Sequence, residues 1–572
     1  MVHVFPLQTC TIYFILKIEL LYLSEYAIID LNYFYKNKYM KLLSNLIVAL
    51  FVFSIGCKAQ TTSQKHSTPF TNPVMWADVP DMSVTRSGSD FYLISTTMHL
   101  MPGAPVMKSK DLVHWEIASY VFDSLSDNSK YNLIDGTVYG RGQWASSIRY
   151  HNGKYYVLFS PNDQPFRSYI YESTDPSEGN WKLLTRTQHF HDASLFFDDD
   201  GRVYVFYGTG DLRELKSDLS DVKPDGMNMK IFERDAEETG LLEGSQVIKH
   251  NGKYYLLMIS WPRGKPRRQL CYRSDNITGP WEKKVILEDN FANFPYCGQG
   301  AIIDDENGNW YGLIFQDRNG VGRVPLLMPV RWEDGWPMLG DENGNVPLNW
   351  ETPLKTHDTG KRIVESDDFS SDKLKINWQW NHNPVNHAWS LAERPGYLRM
   401  KTSRVVDNLF LAPNTITQRM EGPKCSGVVA IDLSNMRDGD VAGFSAFNGD
   451  AGVLAITAEG DKKILTMSGN SVKLEDRTKE VIEVKKEEKI RVELNQNVIY
   501  LRIDGDFNLN KDLATLYYSL DNKNWIQIGP EYKMIFDYRR LFMGSKFAIF
   551  NYATKSTGGY VDVDFFKYDR IL

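Results

Sequence analysis

His151-Asn152-Gly153-Lys154-Tyr155-Tyr156-Val157-Leu158-Phe159 is the stretch whose pattern decides the fold of this chain. An Asn-Gly pair accepts positive φ at both central positions of a tight turn, and the aromatic and β-branched run behind it suits a strand. The same grammar returns at Asp200-Gly201, Asn251-Gly252 and Asn307-Gly308, followed by the aromatic runs 203–207, 254–257 and 310–313. A looser copy, Ser87-Gly88-Ser89-Asp90, precedes 91–94. Several copies continue to a tryptophan: Ser109-Lys110-Asp111-Leu112-Val113-His114-Trp115, Ser173-Thr174-Asp175-Pro176 up to Trp181, and Ser274-Asp275-Asn276 up to Trp281. A spacing of roughly 50 to 60 residues is that of a four-stranded propeller blade with its loops. Five copies predict an all-β chain with a five-bladed β-propeller over 72–345. A series of sandwiches predicts neither this spacing nor the repeated turn.

Outward from the repeats, the fifth blade ends near Trp332-Glu333-Asp334-Gly335-Trp336-Pro337, and 346–365 reads as a linker with Pro347 and Pro353. From 366 to 572, short alternating runs such as 426–433, 442–447 and 489–494 are separated by Gly, Asn and Asp turns. That pattern predicts a second domain, a β-sandwich of jelly-roll type.

On the N-terminal side, Met40-Lys41, the apolar run 42–53 and Ser54-Ile55-Gly56-Cys57 have the layout of a secretory signal peptide. Small residues before a cysteine resemble the bacterial lipoprotein cleavage site, which makes Cys57 the expected lipidation site and 58–71 a linker. Lys17, Glu19, Glu25 and Asp30 disrupt any signal beginning at Met1, so 1–39 is expected to be a mis-called extension with Met40 as the start. The expected location is the cell envelope, lipid-anchored or periplasmic, with membrane contact only through the lipid. The five cysteines, Cys10, Cys57, Cys271, Cys297 and Cys425, are an odd set without C-x-x-C spacing and suggest no disulfide framework. A net charge of −7 offers no broad attraction for a phosphate backbone, which sets nucleic acid aside as a partner.

Inner strands of a propeller face a central channel, so acids at blade starts converge although they are distant in sequence. Blade one opens with Asp78-Val79-Pro80-Asp81-Met82-Ser83-Val84, blade three with His191-Asp192-Ala193-Ser194, and blade four with Leu241-Leu242-Glu243-Gly244-Ser245-Gln246. One such acid alone is more often a turn former or a strand-end cap. Three at equivalent blade positions match the needs of glycoside hydrolysis: an acid for the leaving oxygen, a carboxylate on the other face of the ring, and a third group tuning the acid.

The propeller resembles glycoside hydrolase family 43. The resemblance is carried by Pro80-Asp81, Ser95-Thr96-Thr97, Pro102-Gly103, Ser109-Lys110-Asp111-Leu112, Trp144-Ala145, Asp192-Ala193-Ser194, Glu243-Gly244 and Gly322-Arg323 before Trp332. It implies Asp81 as general base, Glu243 as general acid and Asp192 as the group that tunes and orients the acid. It further implies that Arg323 contacts the sugar, that Trp144 lines the pocket, and that the reaction is a single displacement with inversion. Met82 stands where relatives usually have Pro, and Gln299 stands where many have a histidine that helps, through water, to hold a central calcium. No cofactor is required on this reading; a structural calcium is the open point, and the metal ligands are unknown.

The C-terminal domain resembles the concanavalin A-like sandwich appended to family β-xylosidases, through Asp368-Phe369, Trp378-Gln379-Trp380-Asn381-His382-Asn383-Pro384, Trp389-Ser390-Leu391 and Glu393-Arg394-Pro395-Gly396. In relatives this domain packs on the propeller rim. Trp378 and Trp380 alternate along a strand, which suits core packing, and His382 and His387 lack a metal-ligand constellation. The expected activity is release of terminal xylose, or arabinofuranose, from xylan or arabinoxylan oligosaccharides. An arabinan-directed glycosidase of the same fold and a non-catalytic glycan-binding propeller are the alternatives.

Overall fold

Five antiparallel four-stranded sheets follow one another along the chain in the computed structural model, which describes residues 67–571. The assignments for 1–39, for the signal at 40–57 with Cys57, and for most of the 58–71 linker lie outside the described residues. The expected architecture, a five-bladed propeller followed by a sandwich, is the one the chain adopts. The innermost strands are Ser83–Ser87, Gln143–His151, Ser194–Phe197, Leu241–His250 and Cys297–Asp304. Each turn quoted above joins an innermost strand to the buried aromatic strand beside it. Two are two-residue hairpins with both residues left-handed: Asn152 and Gly153 at φ 49 and 78, Asn251 and Gly252 at φ 48 and 78. At Asp200-Gly201 and Asn307-Gly308 the loop is longer and the glycine alone has positive φ, at 80 and 82. There the preceding aspartate draws the turn inward: Gly201 N–H donates to the Asp198 carbonyl and Gly308 N–H to that of Asp305.

Small hydroxyls hold the innermost strands together from blade to blade. Ile148 N–H donates to Ser83 Oγ at 3.2 Å, Leu195 N–H to Ser147 Oγ at 3.1 Å, and Val247 N–H to Ser194 Oγ at 3.0 Å. At the narrow axis only such short side chains let neighbouring strands approach, and each hydroxyl satisfies a backbone donor that no sheet partner reaches.

The stretches read as linkers are partly ordered into a sheet of their own. Thr68–Thr71 pairs antiparallel with Asn349–Thr352, with Phe70 set edge-on to Trp350 at 6.0 Å. Between them, the two segments bring the start and the end of the propeller together.

The sandwich buries its core between two sheets, around Phe444, Phe547 and Phe566. Trp378 and Trp380 are buried in that core, and Trp378 Nε1 donates to Asp367 Oδ2 at 2.9 Å. One sandwich sheet takes its last strand, Leu100–Met101, from a blade-one loop, which pairs with Gln379–Asn381. Buried His99 and His382 lie at this seam with ring centroids 4.9 Å apart. His99 Nε2 meets Asn381 Oδ1 at 3.0 Å, Asn381 Nδ2 donates to Tyr139 OH at 2.8 Å, and His382 Nε2 accepts from Val138 N–H at 3.1 Å. Burial lowers His99 to about 3 and His382 well below the usual range, so both are neutral structural residues. His387 is exposed. Cys271, Cys297 and Cys425 are free and buried. Among the described residues no helix is long and apolar enough to cross a membrane.

Candidate active site

The functional side chains stand where the innermost strands depart from regularity. In blades two, four and five the register with the next strand slips, between Gln143 and Ser146, Glu243 and Gln246, and Cys297 and Gly300. These bulges re-aim Trp144, Glu243 and Gln299 toward the channel mouth. Blades one and three reach the same end by another device: Asp81 at φ 54 and Asp192 at φ 47 are left-handed just before their strands begin. Aspartate tolerates that conformation better than most residues, and strain of this kind persists only where surrounding contacts over-determine it. Gly244, at φ 75, is required beside the acid, because a Cβ there would meet the Gln299 side chain at 2.3 Å.

Asp81, Asp192, Glu243, Trp144 and Arg323 all line one pocket of about 70 Å³. That volume holds on the order of five waters, the scale of a single sugar ring rather than a chain. Asp81 and Asp192 are buried and Glu243 is half-buried.

Arg323 forks onto Asp81, with Nη1 donating to Oδ1 at 3.1 Å and to Oδ2 at 3.2 Å. Burial pushes Asp81 above the ordinary carboxylate range, and the Arg323 charge pulls the other way. Arg323 therefore faces the carboxylate expected to be the base, besides any contact with sugar. Its backbone N–H donates to Asp78 Oδ1 at 2.8 Å, and Asp78 Oδ2 accepts from Gly544 N–H of the sandwich at 2.9 Å.

On the acid side, His191 Nε2 lies 3.0 Å from Glu243 Oε2, and its Nδ1 lies 3.9 Å from Asp192 Oδ1. Burial pushes Asp192 up to about 7 against the His191 charge, with repulsion from Glu243 and Asp81 adding to the rise. The Asp192 charge, followed by the Glu243 hydrogen bond, raises His191 to about 9. His191, Asp192 and Glu243 offer ligand atoms within 4.8 Å of one another, and His191 Nε2 already pairs with Glu243 Oε2 by a hydrogen bond. Carboxyls in different environments around one small pocket are an arrangement suited to proton transfer.

Sequence reading missed two contributors. His191 sits next to Asp192 in the quoted motif, and its neighbour was the only signal. Phe542 carries no signal at all, since it comes from a sandwich loop. Its ring lines the pocket, lies under the Arg323 guanidinium at 4.4 Å and meets Trp144 edge-on at 5.9 Å, and its carbonyl accepts from Arg323 Nη2 at 3.3 Å.

Residues 70–337 match glycosyl hydrolases family 43, and residues 366–569 match the beta xylosidase C-terminal concanavalin A-like domain. A beta-xylosidase of Formosa agariphila is 29% identical over an alignment spanning 90% of this chain and 92% of that protein. A solved bifunctional GH43-CE protein of Bacteroides eggerthii is 42% identical with a TM-score of 0.81, over 88% of this chain. The chain spans 64% of the length of that bifunctional protein. A second solved structure, a GH43 glycoside hydrolase engineered to display both endo-xylanase and exo-arabinofuranosidase activity, is 31% identical with a TM-score of 0.80; the match covers 88% of this chain and all of the other.

Proposed function

Because this chain belongs to glycosyl hydrolases family 43 and is a glycosidase, we propose that it removes terminal xylose from xylan-derived oligosaccharides by a single inverting displacement. The observation that carries this reading is the convergence of Asp81, Asp192 and Glu243 on one pocket with room for one ring. Asp81 takes a proton from a water, the resulting hydroxide attacks the anomeric carbon, and Glu243 gives its proton to the departing glycosidic oxygen. The Arg323 charge opposes the burial that raises Asp81, the direction a base requires. Asp192 orients the acid's surroundings, and His191 holds one Glu243 oxygen by a hydrogen bond. Trp144 and Phe542 supply apolar walls for the sugar.

Arabinofuranose is the second sugar class in this proposal. It is supported by the engineered structural relative with exo-arabinofuranosidase activity. A binding-only propeller has no use for three buried or half-buried carboxyls, two of them in left-handed backbone. The proposal also includes export through 40–57 and lipidation of Cys57, which place the enzyme in the cell envelope. It rests on the sequence pattern alone, and mass spectrometry of the N-terminal peptide from membrane fractions tests it; an unlipidated chain beginning before Met40 overturns it.

The activity test is a panel of aryl β-xylosides, aryl α-arabinofuranosides, and xylan and arabinan oligosaccharides, with Asp81→Asn and Glu243→Gln alongside. Turnover of a xylan- or arabinan-derived oligosaccharide, lost in both variants, supports the proposal. Full activity in either variant removes the assignment of roles. Proton NMR of the first-formed sugar separates inversion from retention.

A further inference from the structure

One layer beneath the acids, a single guanidinium reaches three other blades. Arg149 stands on the blade-two innermost strand. Its Nη1 donates to Ser83 Oγ of blade one at 3.1 Å and to the Ile148 carbonyl at 2.8 Å. Its Nη2 donates to Ser194 Oγ of blade three at 2.6 Å, and to Gln246 Oε1 and the Val247 carbonyl of blade four, each at 3.3 Å. Ser83 Oγ donates in turn to Gln246 Oε1 at 3.0 Å, which closes the ring. Ser83 is two residues past Asp81, Ser194 two past Asp192, and Gln246 three past Glu243. The partners of Arg149 therefore sit on the very strands that carry the three acids.

A calcium ion does not fit this layer. Calcium takes about six to eight oxygens at roughly 2.3–2.6 Å, usually with carboxylates among them. The oxygens here are two hydroxyls, an amide and two backbone carbonyls, all neutral, and each already accepts from a positive guanidinium. Gln299, where a calcium-supporting histidine was the alternative, lies against Gly244 at the pocket.

We infer that Arg149 is a positioning residue that fills the propeller axis in place of a metal ion and sets the relative placement of the strands bearing Asp81, Asp192 and Glu243. The inference rests on the roles proposed above for those acids. A planar fork with fixed donor directions holds several acceptors in one geometry, which the flexible ammonium of a lysine does not do.

The test compares Arg149→Met and Arg149→Lys with the wild type, with Asp81→Asn and Glu243→Gln assayed in parallel. In Arg149→Met, kcat falls by about tenfold or more while KM stays within about threefold, because misplacing reacting groups costs rate before binding. The pH–rate profile also changes shape, since it reports the coupled carboxyls, and Arg149→Lys restores part of kcat. Wild-type kcat and pH profile in Arg149→Met overturn the inference; if that variant does not fold, the same result in Arg149→Lys does so. Dialysis of wild type against EDTA leaves Tm and kcat unchanged, and elemental analysis finds calcium well below one per chain. Near-stoichiometric calcium, or a Tm lowered by EDTA, also overturns it. Activity on xylooligosaccharides retained in Asp81→Asn or Glu243→Gln instead removes the catalytic reading, so the two failures are separable.

Discussion

Asp81, Asp192 and Glu243 stand on strands whose repeat announces them, whereas Phe542 reaches the same pocket from a sandwich loop that nothing in the sequence marks. The propeller wall carries charge on backbone held by its neighbours: two left-handed aspartates and a bulged glutamate. The sandwich wall carries an aromatic ring and a carbonyl, and it meets the chemistry through Arg323, which forks onto Asp81 and touches Phe542 O. Groups proposed to exchange protons need precise placement, which the rigid repeat gives them; a wall that supplies only shape can come from an appended domain. The Asp78 bridge and the shared strand Leu100–Met101 bind that appended wall to the propeller.

The comparison breaks first at the charged wall. Asp81→Asn lowers kcat/KM by about 10²–10⁴ on every substrate, as loss of a general base does. Glu243→Gln costs as much on xylooligosaccharides and much less on aryl glycosides with acidic phenol leaving groups, which need no proton. Steady-state kinetics on both substrate types check this. An equal loss on both types contradicts the acid role.

Arg323→Gln tests the contact between the walls. The Arg323 charge lowers Asp81, so its removal raises the Asp81 pKa further and moves the acidic limb of kcat/KM to higher pH, by about one unit. Thermal melts of the same variant show destabilisation of up to about 3–5 kcal/mol, because a buried carboxylate loses its partner. An unmoved limb separates Arg323 from the base.

Phe542→Ala sharpens the contrast, since it removes shape without charge. The expected result is about a tenfold fall in kcat/KM, roughly 1.4 kcal/mol of transition-state binding, with both pH limbs in place. A shifted limb shows that the sandwich wall also tunes charge.

The last effect lies at the seam, away from the proposed chemistry. His99 has a folded pKa of about 3 against an ordinary 6.5, so between these values the unfolded chain binds the extra proton. Stability is therefore complete above pH 6.5 and is lost as pH falls from 6.5 toward 3, with a slope of up to about 1.4 kcal/mol per unit. Asn381 opposes this shift by hydrogen bonding, the Lys546 charge adds to it, and His382 titrates alongside. Urea melts at several pH values show the slope, and His99→Gln flattens it; an unchanged slope assigns the acid sensitivity elsewhere.

Much of the site was legible because a propeller repeats its backbone geometry. Asp81-Met82-Ser83 and Asp192-Ala193-Ser194 share a spacing because the acid points to the pocket while the serine, two residues on, bonds the next strand. The tight turns were read correctly where Asn-Gly stands alone, and read too tight where Asp198 or Asp305 adds a second turn inside the loop. The 346–365 stretch looked like a linker because Pro and polar residues surround a short strand whose partner, Thr68–Thr71, lies near the start of the propeller.

Local chemistry sufficed for the turns, the strand periods, the blade count and the three candidate acids, since each depends on residues within one repeat. Tertiary structure alone decided that His191 bonds the acid, that Arg323 grips Asp81, that Phe542 closes the pocket and that Arg149 spans the axis. Those facts depend on distances between strands, and a channel where five blades meet brings together side chains that no sequence window contains.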